Sequence, residues 1–149
     1  MGADDKDIKL IRELSQDGRR SLKSLATELG VSTVTVMNRM KRLRESGVLK
    51  GFTAVVDPSK LGYNITAIIS IVTKRKELVS IEKKLAQHPN VLAIYDVTGT
   101  YDFIVVSRFR KITDLNRFLK KSLAIEGIEN TYTQVALNVM KETIGIPLK

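Results

Sequence analysis

The stretch SLKSLATELGVSTVTVMNRMKRLRESG, residues 21–47, admits few folds. Leu22, Leu25, Ala26 and Leu29 recur at helical spacing behind Ser21, whose hydroxyl can cap a helix by accepting a backbone N–H bond. Gly30 stops that helix, because glycine adopts the left-handed backbone of a helix end without a Cβ penalty. Ser32 stands where a second cap belongs. The following VSTVTV alternates apolar and hydroxyl residues, as a strand does. A strand leaves MNRMKRLRES unexplained, however. Val36, Met40 and Leu43 recur at helical intervals, so the spacing predicts a helix over Ser32–Ser46 with one buried stripe, closed by Gly47.

Two helices joined by the tight turn Gly30-Val31 have the spacing of a helix-turn-helix. Another helix precedes them. Residues 4–17, DDKDIKLIRELSQD, place Ile8, Ile11 and Leu14 on one face with Leu10 beside it. Asp4, Asp5 and Asp7 suit the positive end of its dipole, and Gly18 ends it. Off the buried stripe of the last helix lie Thr33, Val34, Thr35, Met37, Asn38 and Lys41, with Ser32 at its start. Hydroxyls, an amide and methyl groups can read base edges in a major groove. Arg39, Arg42 and Arg44 flank them and can neutralise phosphates. β-branching costs a few tenths of a kcal/mol per residue in helix propensity, a tolerable loss if these side chains have another use. The same spacing also fits three core helices with a solvated basic face, and spacing by itself leaves both readings open.

Charge agrees with a polyanion partner. The chain has 25 Lys and Arg against 16 Asp and Glu, a net charge of +9, and a pI near 9.9. Such an excess favours nucleic acid. The surplus is shared between the two halves of the chain, so pattern rather than charge selects the nucleic-acid end. There is no cysteine, hence no disulfide and no thiolate metal site, which fits a cytoplasmic protein. The longest apolar runs, such as Ile65–Val72, are too short to cross a bilayer, and MGADDKDIK lacks a signal-peptide core, so no membrane partner is expected. Lys6 occupies the hydroxyl position of a myristoylation motif. No glycine-rich phosphate loop occurs, and one histidine without cysteine excludes a His cluster or a Cys-based triad. No cofactor, metal site or catalytic residue is expected.

Beyond the turn-prone VVDPSKLGYN the pattern changes. Ile65–Val72 reads as a strand, Leu78–Gln87 as a helix, Val91–Thr98 and Phe103–Phe109 as a hairpin across GTYD, Ile112–Ile125 as a helix and Ile128–Val139 as a last strand. The order βαββαβ predicts a four-stranded antiparallel sheet with two helices on one face. Apolar residues on both faces of Ile65–Val72 suggest that another subunit covers the other face. The fold class is therefore α+β. A three-helix helix-turn-helix domain (1–52) and a hinge (53–63) lead to a ferredoxin-like domain (64–149); the family resemblance carried by the motifs that follow implies that the first is winged and that the second is an ACT-like domain for effector sensing and oligomerisation.

Together the halves resemble the Lrp/AsnC, or feast/famine, transcription factors. The resemblance rests on D-x-x-D-I-K-L-I-x-E-L at 4–14, ELGVS at 28–32, V-M-N-R-M-K-R-L-R-E-S-G-V-L-K-G-F at 36–52, D-P-S-K-L-G-Y at 57–63, T-G-x-Y-D-F at 98–103 and T-Y-T-Q-V at 131–135. Thr33 departs from the proline the family often has, and Met40 from its valine. The resemblance implies a regulator that binds double-stranded DNA and responds to a small effector, often an amino acid. It also implies a homodimer, and often an octamer or another assembly of dimers. The family's effector contact maps to Thr98, Gly99, Thr100, Tyr101 and Asp102, with Thr131 and Thr133 as neighbours. Gly99 lets backbone approach a ligand closely, and Asp102 with nearby hydroxyls can accept bonds from an ammonium group. GTYD also reads as a plain hairpin turn in which Asp102 bonds its own backbone. Two rival functions remain at this level: an Lrp-like tetrapyrrole decarboxylase subunit and an RNA-binding winged-helix protein. The decarboxylases are expected to use histidines, whereas the lone His88 sits at a predicted helix end, where it most simply bonds terminal carbonyls.

Overall fold

The structure, a computed structural model, describes residues 3–74 and 78–143. The chain divides into two compact units, one reaching Val55 and rejoined by Glu142, the other spanning Val56–Lys141. The first holds α1 (Asp5–Gln16), α2 (Leu22–Leu29) and α3 (Thr33–Glu45). Each starts at the cap its sequence offers. The Asp4 carboxylate accepts the Asp7 N–H at 2.8 Å, and the Asp7 carboxylate accepts the Asp4 N–H at 3.0 Å. Ser21 accepts from Ser24 N and Ser32 from Thr35 N, each at 3.1 Å. Gly30 turns the chain from α2 into α3 at φ 61°, ψ 44°. Its N–H bonds the Thr27 carbonyl at 3.3 Å.

Leu10, Leu14, Leu25, Ala26, Leu29, Val36 and Leu43 form the core of this unit. The buried face of α1 differs from the expected one. It runs through Asp7, Leu10 and Leu14, while Ile8 and Ile11 are half-buried. The helix is rotated because Asp7 is drawn inward by arginines of α3. Leu22 and Met40 are also less enclosed than their spacing suggests, Leu22 being 38% exposed. Residues 51–57 follow without joining a strand.

The second unit carries β1 (Ile65–Thr73), α4 (Leu78–Ala86), β2 (Val91–Asp96), β3 (Phe103–Phe109), α5 (Ile112–Arg117) and β4 (Ile128–Val135). The strands form one antiparallel sheet in the order β2-β3-β1-β4. On the helix side, Ala67, Ile69 and Ile71 of β1 meet Phe103, Val105 and Phe109 of β3 beneath Ile81, Leu85, Leu115 and Phe118. Strand alternation turns Ile68 and Val72 to the other side, together with Ile104, Val106, Tyr95 and Tyr132. Several elements end earlier than expected, β2 stopping at Asp96 rather than Thr98. The last strand stops at Val135 rather than Val139, because its partner β1 begins at Ile65 and the ladder runs out after Ala136 N–H bonds Thr66 O at 2.9 Å. The helix expected over Ile112–Ile125 is α-helical only to Arg117, then takes a π-helical turn over Phe118–Ser122. Among the described residues no helix is long and apolar enough to cross a membrane.

Candidate nucleic-acid interface and effector turn

Val36 and Leu43 anchor α3 in the core, fully buried or nearly so. The opposite side presents Thr33, Val34, Met37, Asn38 and Lys41, all exposed, with Val34 at 58% and Met37 at 51%. These residues share one solvent-facing surface of the helix after the Gly30 turn. Two neighbours are less free than their spacing implies. Ser32 Oγ serves the cap and lies 2.9 Å from Thr35 Oγ1, and Thr35 is half-buried. Lys41 stands 3.9 Å from Glu45 in a highly exposed pair. The Arg44 guanidinium lies over the Phe52 ring, 5.6 Å from its centre.

Two of the three arginines read as phosphate contacts, Arg39 and Arg42, bond carboxylates of α1. Arg39 Nη1 donates to Asp4 at 2.7 and 2.8 Å and to Asp7 at 2.7 Å, and its side chain is only 19% exposed. It braces α3 against α1 rather than reaching outward. Arg42 Nη2 also bonds the Asp7 carboxylate, but its side chain is 48% exposed and keeps a face toward solvent. The hydrogen bond from Arg39 holds the Asp4 carboxyl below its ordinary pKa, and the Asp7 N–H adds to that. The same contact raises the Arg39 pKa. The organising residue, Asp7, was read only as a dipole partner. Its signal was present: it lies three residues before Leu10 and seven before Leu14, on the face those leucines bury.

The turn over Thr98–Asp102 follows β2. Gly99 has φ 114°, and a Cβ there would meet nothing within 4 Å, so conformation rather than crowding requires glycine. The Asp102 carbonyl closes the turn by accepting the Val97 N–H at 3.1 Å, but its carboxylate bonds the neighbouring strand β1. Its Oδ2 accepts from Thr73 N at 2.7 Å and Thr73 Oγ1 at 3.1 Å, and its N–H donates to Ile71 O at 2.9 Å. Oδ1 takes part in neither Thr73 bond. Tyr101 packs against Tyr132, with ring centres 5.5 Å apart. Thr131 and Thr133 stand opposite Ile71 and Ile69 in the ladder, hence on the helix side, the face away from Tyr132. The turn therefore gathers Tyr101 with Tyr132 and Asp102 with Thr73. Thr98 and Thr100 point to solvent, and Thr131 and Thr133 lie across β1.

Two family models match. Residues 4–44 match the AsnC-type helix-turn-helix domain, and residues 66–146 match the Lrp/AsnC ligand binding domain. The chain belongs to the Lrp/AsnC family of transcriptional regulators. An uncharacterized HTH-type transcriptional regulator of Pyrococcus furiosus is 44% identical over 95% of this chain and 96% of its own length. Escherichia coli AsnC shares 28% of residues with a TM-score of 0.86, covering 97% of this chain and 99% of that one. The leucine response regulatory protein LrpA of Mycobacterium tuberculosis is 28% identical with a TM-score of 0.87, covering 97% and 99%. This Lrp/AsnC chain is thus a transcriptional regulator, not an enzyme, with a helix-turn-helix DNA-binding domain and a ligand-binding domain. The βαββαβ unit is the second of these.

Proposed function

We propose that the protein reads specific sequences in double-stranded DNA with α3 and couples that binding to an amino-acid effector. In this reading, residues 1–52 bind DNA, 53–63 form a hinge, and 64–149 sense the effector and assemble the oligomer. The carrying observation is the exposed set Thr33, Val34, Met37 and Asn38, set opposite the buried Val36 and Leu43 on one helix. Their methyl, thioether and amide groups match base edges, and uncharged readers supply discrimination that phosphate contacts lack. Lys41 and Arg44 take phosphates, Arg42 is held back from them by its bond to Asp7, and Ser32 and Thr35 fix the helix start. The open sheet face, with Tyr95 at 56%, Tyr132 at 50% and Ile68 at 37% exposure, suits a second copy of this chain. A dimer presents two copies of α3 to a palindromic site, and dimers assemble further. Such a regulator works in the cytoplasm.

The effector reading places an α-ammonium group on Oδ1 of Asp102, with the Gly99 backbone, Thr98 and Thr100 beside it, while Thr131 and Thr133, across β1, stand outside this contact. The name of the M. tuberculosis relative, a leucine response protein, favours an amino acid. The test is selection of bound fragments from genomic DNA, with matched RNA as competitor, followed by a thermal-shift screen of the twenty amino acids. Enrichment of palindromic duplex sites and one stabilising amino acid are expected, with sedimentation showing a dimer or larger. Gly99→Val removes the amino-acid response by straining the turn, yet spares DNA binding. RNA competing as well as duplex DNA overturns the DNA reading. A hit that stabilises Gly99→Val equally overturns the effector site.

A further inference from the structure

The other end of the sheet domain holds a cavity of about 290 Å³ that the effector turn does not touch. Its volume sits near the lower end of the roughly 300–1,000 Å³ usual for small-molecule sites. The floor is aromatic. Phe109 at the end of β3 and Phe118 after α5 lie with ring centres 5.4 Å apart, and the His88 ring meets Phe118 edge-on at 4.6 Å. The rim is cationic. The Arg110 guanidinium lies over the Tyr63 ring, 4.7 Å from its centre, and among the described residues no carboxylate pairs with it. Arg117 is paired with Asp114 at 3.1 Å, so the one acid lining the cavity is already neutralised. One guanidinium charge is left over at the mouth.

His88 is oriented for this space. Its Nδ1 accepts the Asn90 backbone N–H at 3.2 Å, rather than the ring donating to helix-end carbonyls as its position suggested. That bond places the ring proton on Nε2, leaving a neutral donor. Burial keeps its pKa below the ordinary imidazole value, consistent with the neutral form. The π-helical turn over Phe118–Ser122 sets both Phe118 and Ser122 on the cavity wall. Such turns recur at functional sites because they interrupt regular helix packing at some cost.

The geometry points to a second small-molecule site here, distinct from the effector turn, for a small aromatic carboxylate. The carboxylate meets Arg110, whose planar fork matches two oxygens at once. The ring lies against the half-buried His88 and Tyr63 rings, beneath which Phe109 and Phe118 close the floor from within the core. Inorganic phosphate satisfies only the first half of this description, and acetate lacks the ring.

His88 is the chain's single histidine, so its ring proton NMR signals report this cavity alone. The full-length protein is titrated with benzoate, acetate and inorganic phosphate. Benzoate is expected to shift the His88 signals saturably, with acetate and phosphate weaker by about tenfold or more. Arg110→Ala should weaken benzoate by about tenfold or more, since it removes a charge-assisted pair. Arg110 is exposed, and an unchanged circular dichroism spectrum establishes that the variant is folded. Gly99→Val should leave the benzoate titration unchanged, so this site and the effector turn fail separately. Absence of a saturable shift, an equal response in folded Arg110→Ala, or phosphate binding as tightly as benzoate overturns the proposal.

Discussion

Replacing Asp7 by asparagine keeps the side chain's shape and removes one buried negative charge. In the wild type that carboxylate is fully buried. It holds the Asp4 N–H at 3.0 Å, Arg39 Nη1 at 2.7 Å and Arg42 Nη2. Arg39 is mostly enclosed, so its contact counts as a buried pair, and breaking one costs about 3–5 kcal/mol. Arg42 is about half exposed, so solvent and salt reduce its share to about 0–1 kcal/mol. Part of the Arg39 loss is offset, because Asp4 still holds that guanidinium at 2.7 Å. The expected loss therefore lies near the lower bound, about 3 kcal/mol. At roughly 0.05–0.15 kcal/mol per residue, a unit of about 50 residues has about 3–8 kcal/mol in all. Asp7→Asn thus removes much of the reserve of the helix-turn-helix.

The same change acts on DNA binding. Arg42 loses its closest counter-charge and turns toward phosphate, while Arg39 stays with Asp4. One additional phosphate contact steepens the dependence of log K on log salt by about 0.9. Urea unfolding of the full chain, followed by circular dichroism, measures the first effect. Anisotropy of a labelled random duplex between about 50 and 200 mM salt measures the second. A stability loss below about 1 kcal/mol, the range of exposed pairs, refutes the buried-pair argument. An unchanged salt slope refutes the claim that Asp7 withholds Arg42 from phosphate.

Two further outcomes follow from the same geometry. Asn38→Ala should cost about 1–3 kcal/mol on the selected site and less on random DNA, and equal losses on both remove Asn38 from the base readers. For His88, burial lowers the folded-state pKa beneath the unfolded value of 6.5. The unfolded chain then binds the extra proton first, so this contribution to stability is present above that value and is lost as pH falls through it. Unfolding measured from about pH 7 to pH 5 should show a shallower acid slope in His88→Gln, and parallel curves count against a buried neutral imidazole.

The helix-turn-helix was legible because its punctuation is local. Ser21, Gly30 and Ser32 act on backbone groups within a few residues, and the structure uses each as its type suggests. The sheet was legible for a similar reason, since alternating apolar runs and the GTYD turn give the hairpin its register. What was not legible depends on distant partners. The inward face of α1 is set by Asp7 meeting Arg39 and Arg42, 32 and 35 residues later. A search for apolar spacing passes over an acid in that position. The end of β4 is set by where β1 begins, and the bonds of Asp102 by Thr73, 29 residues earlier. Asp102 is a turn residue by type, but its carboxylate ties the turn to another strand.

The acid network also changes what kind of DNA reader α3 is on the proposed reading. By sequence the helix carries Arg39, Lys41, Arg42 and Arg44, a run that suggests strong, sequence-independent attraction to phosphate. In the structure Arg39 is enclosed by Asp4 and Asp7, Arg42 is shared with Asp7, and Arg44 lies over Phe52. Lys41 keeps most of its exposure, with Glu45 at 3.9 Å. Free positive charge on the helix is thus much smaller than its composition implies. Non-specific affinity scales with the number of phosphates neutralised, whereas discrimination comes from base contacts. Muting the first while exposing Thr33, Val34, Met37 and Asn38 raises the ratio between selected and random sites. The phosphate grip left to Lys41 and Arg44, whose charge the Phe52 ring does not cancel, is completed by exposed cations outside α3, such as Lys23 and Lys50. These can anchor the backbone without standing where bases are read.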